Sequence, residues 1–191
     1  MTAECTSSEL GFRVSICGRE EIPEFEDQGI THLLSIDNPG DPTPTPSEFD
    51  GVHWNISFND IATQAEAIEF DATLPEMQDV QQVLDYAESC QQASQVQPVH
   101  LLVHCMAGVS RSTAAAYAMI SSMFGEGREH DALKHILEIR PQASPNPLMV
   151  KHADAILKRN GKMLEAIKRL RDAADGDASS NPATEQEGQA S

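Results

Sequence analysis

Short alternating runs of apolar and polar residues dominate the first half of the chain. Apolar residues at three- and four-residue spacing dominate the second half. Arg13-Val14-Ser15-Ile16-Cys17 predicts a first strand closed by Gly18, and Thr31-His32-Leu33-Leu34-Ser35-Ile36 a stronger second one ended by Asp37-Asn38-Pro39-Gly40. The proline-spaced segment from Asp41 to Ser47 excludes helix and central strand. Val52 to Phe58 alternates as a third strand and runs into the polar turn Asn59-Asp60. Ile61 to Phe70 predicts a short amphipathic helix with Ile61, Ala65 and Ile68 on one face. Thr73-Leu74-Pro75-Glu76 has the form of a capping box, and it precedes the stripe Met77, Val80, Val83, Leu84 and Ala87.

Val99 to Val103 is a continuous apolar run, the form of a buried strand, followed after a short gap by the helix-forming run Ser112 to Ile120. Gly125 and Gly127 end that helix. Ala132, Leu133, Ile136 and Leu137 mark the next, stopped by Pro141. Ser144-Pro145-Asn146-Pro147 opens another, with Leu148, Ala153, Ile156 and Leu157, and Gly161 interrupts it. A last helix carries Leu164, Ile167 and Leu170, with Lys168, Arg169 and Arg171 near its C-terminal end, where cations suit the dipole. The order of elements predicts a single α/β domain over residues 1–171, a central, mostly parallel sheet of four to five strands with helices on both faces. Residues 172–191 are small, polar and acidic without periodicity, and are expected to form a disordered tail. Trp54 is expected in the core.

Charge narrows the partners. The net charge of −17 argues against nucleic acid. Between Glu20 and Ser110 there are 17 acidic residues and no Lys or Arg, and the remaining 13 acidic residues balance 13 basic ones. An acidic solvated surface is the plain reading, and it offers no cationic subsite for a highly phosphorylated substrate. No apolar run is long enough to span a bilayer, and the N-terminus lacks the form of a secretory signal; a cytoplasmic protein without membrane insertion is expected. Cys5, Cys17, Cys90 and Cys105 show neither zinc spacing nor a disulfide framework. Cys17 and Cys90 read as small buried residues.

The gap between the fourth strand and its helix carries the chemistry: His104-Cys105-Met106-Ala107-Gly108-Val109-Ser110-Arg111-Ser112. A strand, a tight loop and a helix N-terminus aim backbone N–H groups and the positive dipole end at one point, which suits an oxyanion and a thiol that ionises easily. Arg111 adds a planar fork for two oxygens of a phosphoryl group. Gly108 permits a backbone conformation most residues resist. The combination suits attack of Cys105 sulfur on phosphorus and a cysteinyl-phosphate intermediate. A leaving alkoxide or phenoxide needs an acid, and Asp60, in a turn at a strand end, is the first candidate; Asp37, Asp50 and Asp71 are its rivals.

The motif His104-Cys105-x-x-Gly108-x-x-Arg111-Ser112 resembles the signature of the cysteine-dependent protein tyrosine phosphatases, in their compact dual-specificity-like and bacterial tyrosine-phosphatase-like group. Gly29 to Ile36, Asn59-Asp60 and Arg140-Pro141 through Asn146-Pro147 resemble further segments of that family. The resemblance implies a phosphatase-like fold and no metal or organic cofactor. It implies Cys105 as nucleophile, and Arg111 with the backbone N–H groups of Met106, Ala107, Gly108, Val109, Ser110 and Arg111 as the phosphoryl site. It further implies that Ser112 donates to the departing thiolate, that His104 orients the loop, and that Asp60 is the acid and then the base. Each has a plain alternative: His104 a satisfied strand-end histidine, Ser112 a helix N-cap, Asn146 a cap. The expected substrate is a phosphorylated protein or peptide, phosphotyrosine first, with phosphoserine and phosphothreonine as further substrates. The alternatives are a non-protein phosphoester and a silent phosphate-binding module. Uncharged Met106, Ala107, Val109 and Ser110 weigh against inositol lipids.

Overall fold

The computed structural model describes residues 10–46 and 49–178; Cys5, Ser47 and residues 179–191 lie outside them. Four strands, β1 (Arg13–Gly18), β2 (His32–Asp37), β3 (Val52–Ser57) and β4 (His100–Cys105), form one sheet in the order β1-β4-β2-β3. All three pairings are parallel. The two central strands, β2 and β4, are buried at every position, as strands covered on both faces must be. Edge strand β3 is buried only at Ile56. Trp54 therefore departs from the expected core position: it is 42% exposed on the edge strand, leaning on Tyr86 at 5.7 Å between ring centroids.

Among the described residues the α-helices are α1 (Gln64–Glu69), α2 (Met77–Ser94), α3 (Arg111–Phe124), α4 (Glu129–Ile139), α5 (Pro147–Ile156) and α6 (Lys162–Ala178). Inward-pointing Val14, Ile16, Leu34, Ile36, Leu101 and Val103 of the sheet join residues of α2 to α6 in one large core. The other face has a thinner cover, a 3-10 helix over Arg19–Phe25 whose Ile22 and Phe25 pack with Cys17, Leu33 and Leu102. Helix α3 lies at the centre of the helical layer, buried from Arg111 to Ser121. Its run Ala114-Ala115-Ala116 lets α3 approach β4 and its helical neighbours closely while keeping strong helix propensity.

Three boundaries differ from expectation. Helix α2 is capped by Glu76 and Asp79, not by Thr73, because Thr73 is engaged elsewhere: Asn59 bonds its N–H and its carbonyl at 2.9 Å each. Pro75 also disfavours helix at Leu74. Helix α1 is shorter than residues 61–70, and its core residue is Ala67, while Ile68 is 75% exposed. A helix this short is set by its end, where Thr63 and Glu66 form a reciprocal capping box, rather than by an apolar stripe. Helix α6 continues to Ala178, past the expected boundary at 171. Among the described residues no helix is long and apolar enough to cross a membrane.

Candidate active site

The parallel sheet presents the carboxyl ends of β1, β2, β3 and β4 on one edge, where ligands of open α/β sheets bind. Cys105 is the last residue of β4 and is 2% exposed. Alternation along β4 turns Leu101, Val103 and Cys105 to the helical core and Leu102 to the thin face. The Cys105 Sγ lies 3.3 Å from Ser112 Oγ. Ser112 is thus inside α3 and faces the thiol; the helix begins at Arg111, so Ser112 is not its N-cap.

The loop between Cys105 and Arg111 is held by its carbonyls. Met106 O accepts from Arg19 N–H at 3.1 Å, and Val109 O from Ser144 N–H at 2.8 Å. Ala107 O and Gly108 O accept from Arg140 Nη2 at 3.2 Å and Nε at 3.0 Å. Ser110 O accepts from Ala114 N–H at 2.9 Å and Asn146 N–H at 3.3 Å. A trans peptide points its N–H opposite to its C=O. With five successive carbonyls bonded to donors around the loop, the N–H groups of Ala107, Gly108, Val109, Ser110 and Arg111 turn the other way. No acceptor takes any of them among the described residues. Gly108 makes the curve, with φ of +68°; a Cβ there would also run into the backbone of Cys17 and Gly18.

Arg111 is 2% exposed, and its Nη1 donates to Phe58 O at 2.7 Å and Asn38 Oδ1 at 2.8 Å. Its buried Nε has no partner among the described residues. One end of the fork is anchored in the protein and the Nε edge is left for a ligand.

Asp60, exposed just after β3, reaches this loop across 50 positions of sequence: its Oδ1 accepts from Ser110 Oγ at 2.6 Å. Of its rivals, Asp37 is 2% exposed and spent on structure. Burial works against its charge, but donors from Thr43 and Asn55 hold its carboxyl below the ordinary range, and Arg19 pairs with it at 3.3 Å. Asp71 sits in a turn with φ of +49°, and Asp50 lines a cavity of about 500 Å³ on the thin face that holds none of the loop residues. His104 points to the thin face and bonds Ser35 Oγ at 2.6 Å, tying β4 to β2 directly beneath the loop. Burial pushes its pKa down to about 4, against the pull of Asp37.

Sequence reasoning missed the residues that hold the loop from outside. Arg140 grips two loop carbonyls and pairs with Glu21 at 2.7 Å. Glu21 is partly desolvated, yet Arg140 and the Gly18 N–H keep its carboxyl below the usual range. Asn38 and Arg19 were likewise unassigned. The partners sit as far as 119 positions apart, so no local spacing announces them. Cys17 belongs to the thin-face cluster and Cys90 to the helical core with Cys105. Burial pushes both Cys17 and Cys90 up to about 12.

No family model matches the chain. It is 45% identical over 56 residues to human protein phosphatase Slingshot homolog 3, a match covering 29% of this chain and 8% of that protein. It is 30% identical over 118 residues to mouse dual specificity protein phosphatase 15, a match covering 62% of this chain and 42% of that one. The chain therefore matches less than half the length of these curated relatives. A crystal structure of DUSP15 superposes with a TM-score of 0.54 at 21% identity, over 87% of this chain and 94% of that one. In sequence and fold, the relatives of this chain are those of the cysteine-dependent protein tyrosine phosphatase superfamily, in its dual-specificity-like group.

Proposed function

We propose that the domain built on this sheet is a cysteine-dependent protein phosphatase that hydrolyses phosphotyrosine, with phosphoserine and phosphothreonine as further substrates. The observation that carries the proposal is the meeting of Asp60 with Ser110 in the same loop that joins Cys105 to Arg111. A phosphate-binding module needs the loop amides and Arg111 but has no use for a carboxylate at its rim, which a bound phosphate dianion would repel. A protonated carboxyl there is what a leaving oxygen requires.

In the first step Cys105 sulfur attacks phosphorus, the bond from phosphorus to the leaving oxygen breaks, and that oxygen takes the proton of Asp60. The inward N–H groups and the Arg111 Nε edge hold the three remaining phosphoryl oxygens, whose charge they stabilise as the transition state forms. In the second step water attacks the cysteinyl-phosphate and gives its proton to the Asp60 carboxylate. The S–P bond breaks, and the sulfur leaves as thiolate with Ser112 Oγ donating to it across the 3.3 Å contact. No step needs a metal or organic cofactor. The uncharged loop side chains and the cation-free stretch from residue 20 to residue 110 favour a substrate read through one phosphoryl group.

Cys105→Ser tests the proposal. Turnover of phosphotyrosine peptide is expected to fall by about 10⁴-fold or more while phosphate affinity is kept. Unchanged turnover would remove the mechanism. Rates on matched phosphotyrosine and phosphothreonine peptides then decide the breadth of the substrate class.

A further inference from the structure

We propose that Asn146 is the positioning residue of the acid, a latch that sets Asp60 at a fixed distance from the nucleophile loop. The inference rests on the reading of Asp60 as the proton donor. Asn146 lies 86 positions from Asp60, at the N-cap of α5, and is 2% exposed. Its Oδ1 accepts from Leu148 N–H at 3.0 Å and Met149 N–H at 3.1 Å. Pro147, between cap and helix, has no N–H to satisfy. The acceptor end of the amide is therefore committed, and a flipped amide would set its NH₂ against two N–H groups. The donor end has only one direction left. There Nδ2 donates to Asp60 Oδ1 at 2.9 Å and to Ile61 O at 3.2 Å. A helix cap alone needs only the acceptor end; the donor end, closing on the acid and on the next carbonyl, is a separate arrangement.

The same residue also grips the other loop. Asn146 N–H donates to Ser110 O at 3.3 Å, and Ser110 Oγ donates to Asp60 Oδ1 at 2.6 Å. Asn146, Ser110 and Asp60 thus close a triangle that fixes acid against loop. Both donors converge on one oxygen of Asp60. A proton on this carboxyl accordingly sits on Oδ2, the oxygen that neither donor occupies. Oδ1 accepts equally well as the carbonyl of the neutral acid and as part of the carboxylate. The latch consequently stays closed while Oδ2 gives its proton to the leaving oxygen and regains one from water.

The test uses Asn146→Asp and Asn146→Ser. Both keep an oxygen that caps α5, and both lose the Nδ2 donor. The expected result is a kcat loss of about 10- to 100-fold on an alkyl-substituted phenyl phosphate, a poor leaving group, with KM unchanged. Less than about threefold loss is expected on an aryl phosphate bearing strongly electron-withdrawing groups, which needs no acid. In an Asp60→Asn background the Asn146 changes should then lower kcat no further. Equal losses on both substrates, or full activity on the poor leaving group, would make Asn146 a cap and nothing more. Thermal unfolding of each variant separates this from misfolding, and Asn146→Ser serves if the added charge of Asn146→Asp upsets the loop. Asp60→Asn alone distinguishes the two failures. Leaving-group dependence in Asp60→Asn with none in the Asn146 variants overturns the latch alone. No dependence in Asp60→Asn overturns the acid itself, and the latch with it.

Discussion

The loop after β4 and the loop after β3 meet at the bond between Ser110 and Asp60, yet they are held in opposite ways. The first has each carbonyl from Met106 to Ser110 bonded to a donor on the 3-10 helix after β1, Arg140, the 144–146 segment or α3. On the proposed mechanism, a loop held at every carbonyl is what lets backbone amides stabilise a transition state without reorganising. The second is exposed at Asp60 and is pinned by side chains: Asn146, Ser110, and Asn59 on Thr73. A group that must give up and regain a proton next to a leaving group needs a position but also access. The difference teaches that the two halves of the chemistry should respond differently to mutation, the nucleophile loop through every substrate and the acid loop only through those with poor leaving groups.

The sharpest way to break this contrast is at Arg111. Arg111→Lys keeps the charge but loses the fork, the bonds of Nη1 to Phe58 O and Asn38 Oδ1, and the Nε edge. We expect kcat to fall by about 10²- to 10³-fold, to the same extent for good and poor leaving groups. Steady-state kinetics on an aryl phosphate series reads this directly. A loss confined to poor leaving groups would mean that Arg111 acts through the acid loop, and the division between the two loops would collapse.

The same contrast governs what could be read from the chain. The nucleophile loop is contiguous: Cys105, Gly108, Arg111 and Ser112 stand at spacings set by one turn between a strand and a helix, and the four strands of the sheet follow from alternation or apolar runs. Asp60 was reachable as a turn residue at a strand end, because parallel strands share a carboxyl edge. Which oxygen of Asp60 is bonded, and by what, depends on Asn146, whose capping role was legible and whose donor end was not. Arg140, Glu21 and Asn38 escaped for the same reason: their partners come from other elements of the fold. Trp54 and Ile68 were misplaced because hydrophobicity alone predicts burial, while an edge strand and a helix of six residues leave faces only partly covered.

A smaller effect is expected at Arg140, which sharpens the claim that the nucleophile loop is held from outside. Arg140→Ala removes the bonds to Ala107 O and Gly108 O and takes the ion pair from Glu21, which keeps only the Gly18 N–H. Two unpaired carbonyls that water can reach in part are worth about 2 kcal/mol, or about 4–8 °C in Tm for a domain of this size. Activity should fall about tenfold on every substrate, because the amides opposite those carbonyls lose their aim. A Tm loss with no loss of kcat would show that the loop keeps its curve through Gly108 and its other bonds.

The smallest effect lies beneath the loop, at His104, and shows itself as pH dependence of stability. Folded His104 stays neutral down to about 4 because it is buried against Ser35, whereas the unfolded chain takes up that proton near the ordinary histidine value of 6.5. Between these values the unfolded state binds more protons, so stability rises with pH and is lost on acidification. From pH 7 to pH 5.5 this one group removes about 1 kcal/mol. Burial lowers His32, His53 and His135 in the same direction, so the whole protein loses more than one histidine can account for. Asp37 acts in the same direction but outside this range: its lowered carboxyl stabilises the fold above about 3.8, and that stability is lost only in stronger acid. The difference between wild type and His104→Gln isolates the single residue, since glutamine can still bond Ser35 without binding a proton. Denaturant unfolding at pH 7 and pH 5.5 should show the variant losing about 1 kcal/mol less than wild type. Equal losses would mean that acid enters through the other histidines, and that the strand end under Cys105 tolerates a charge.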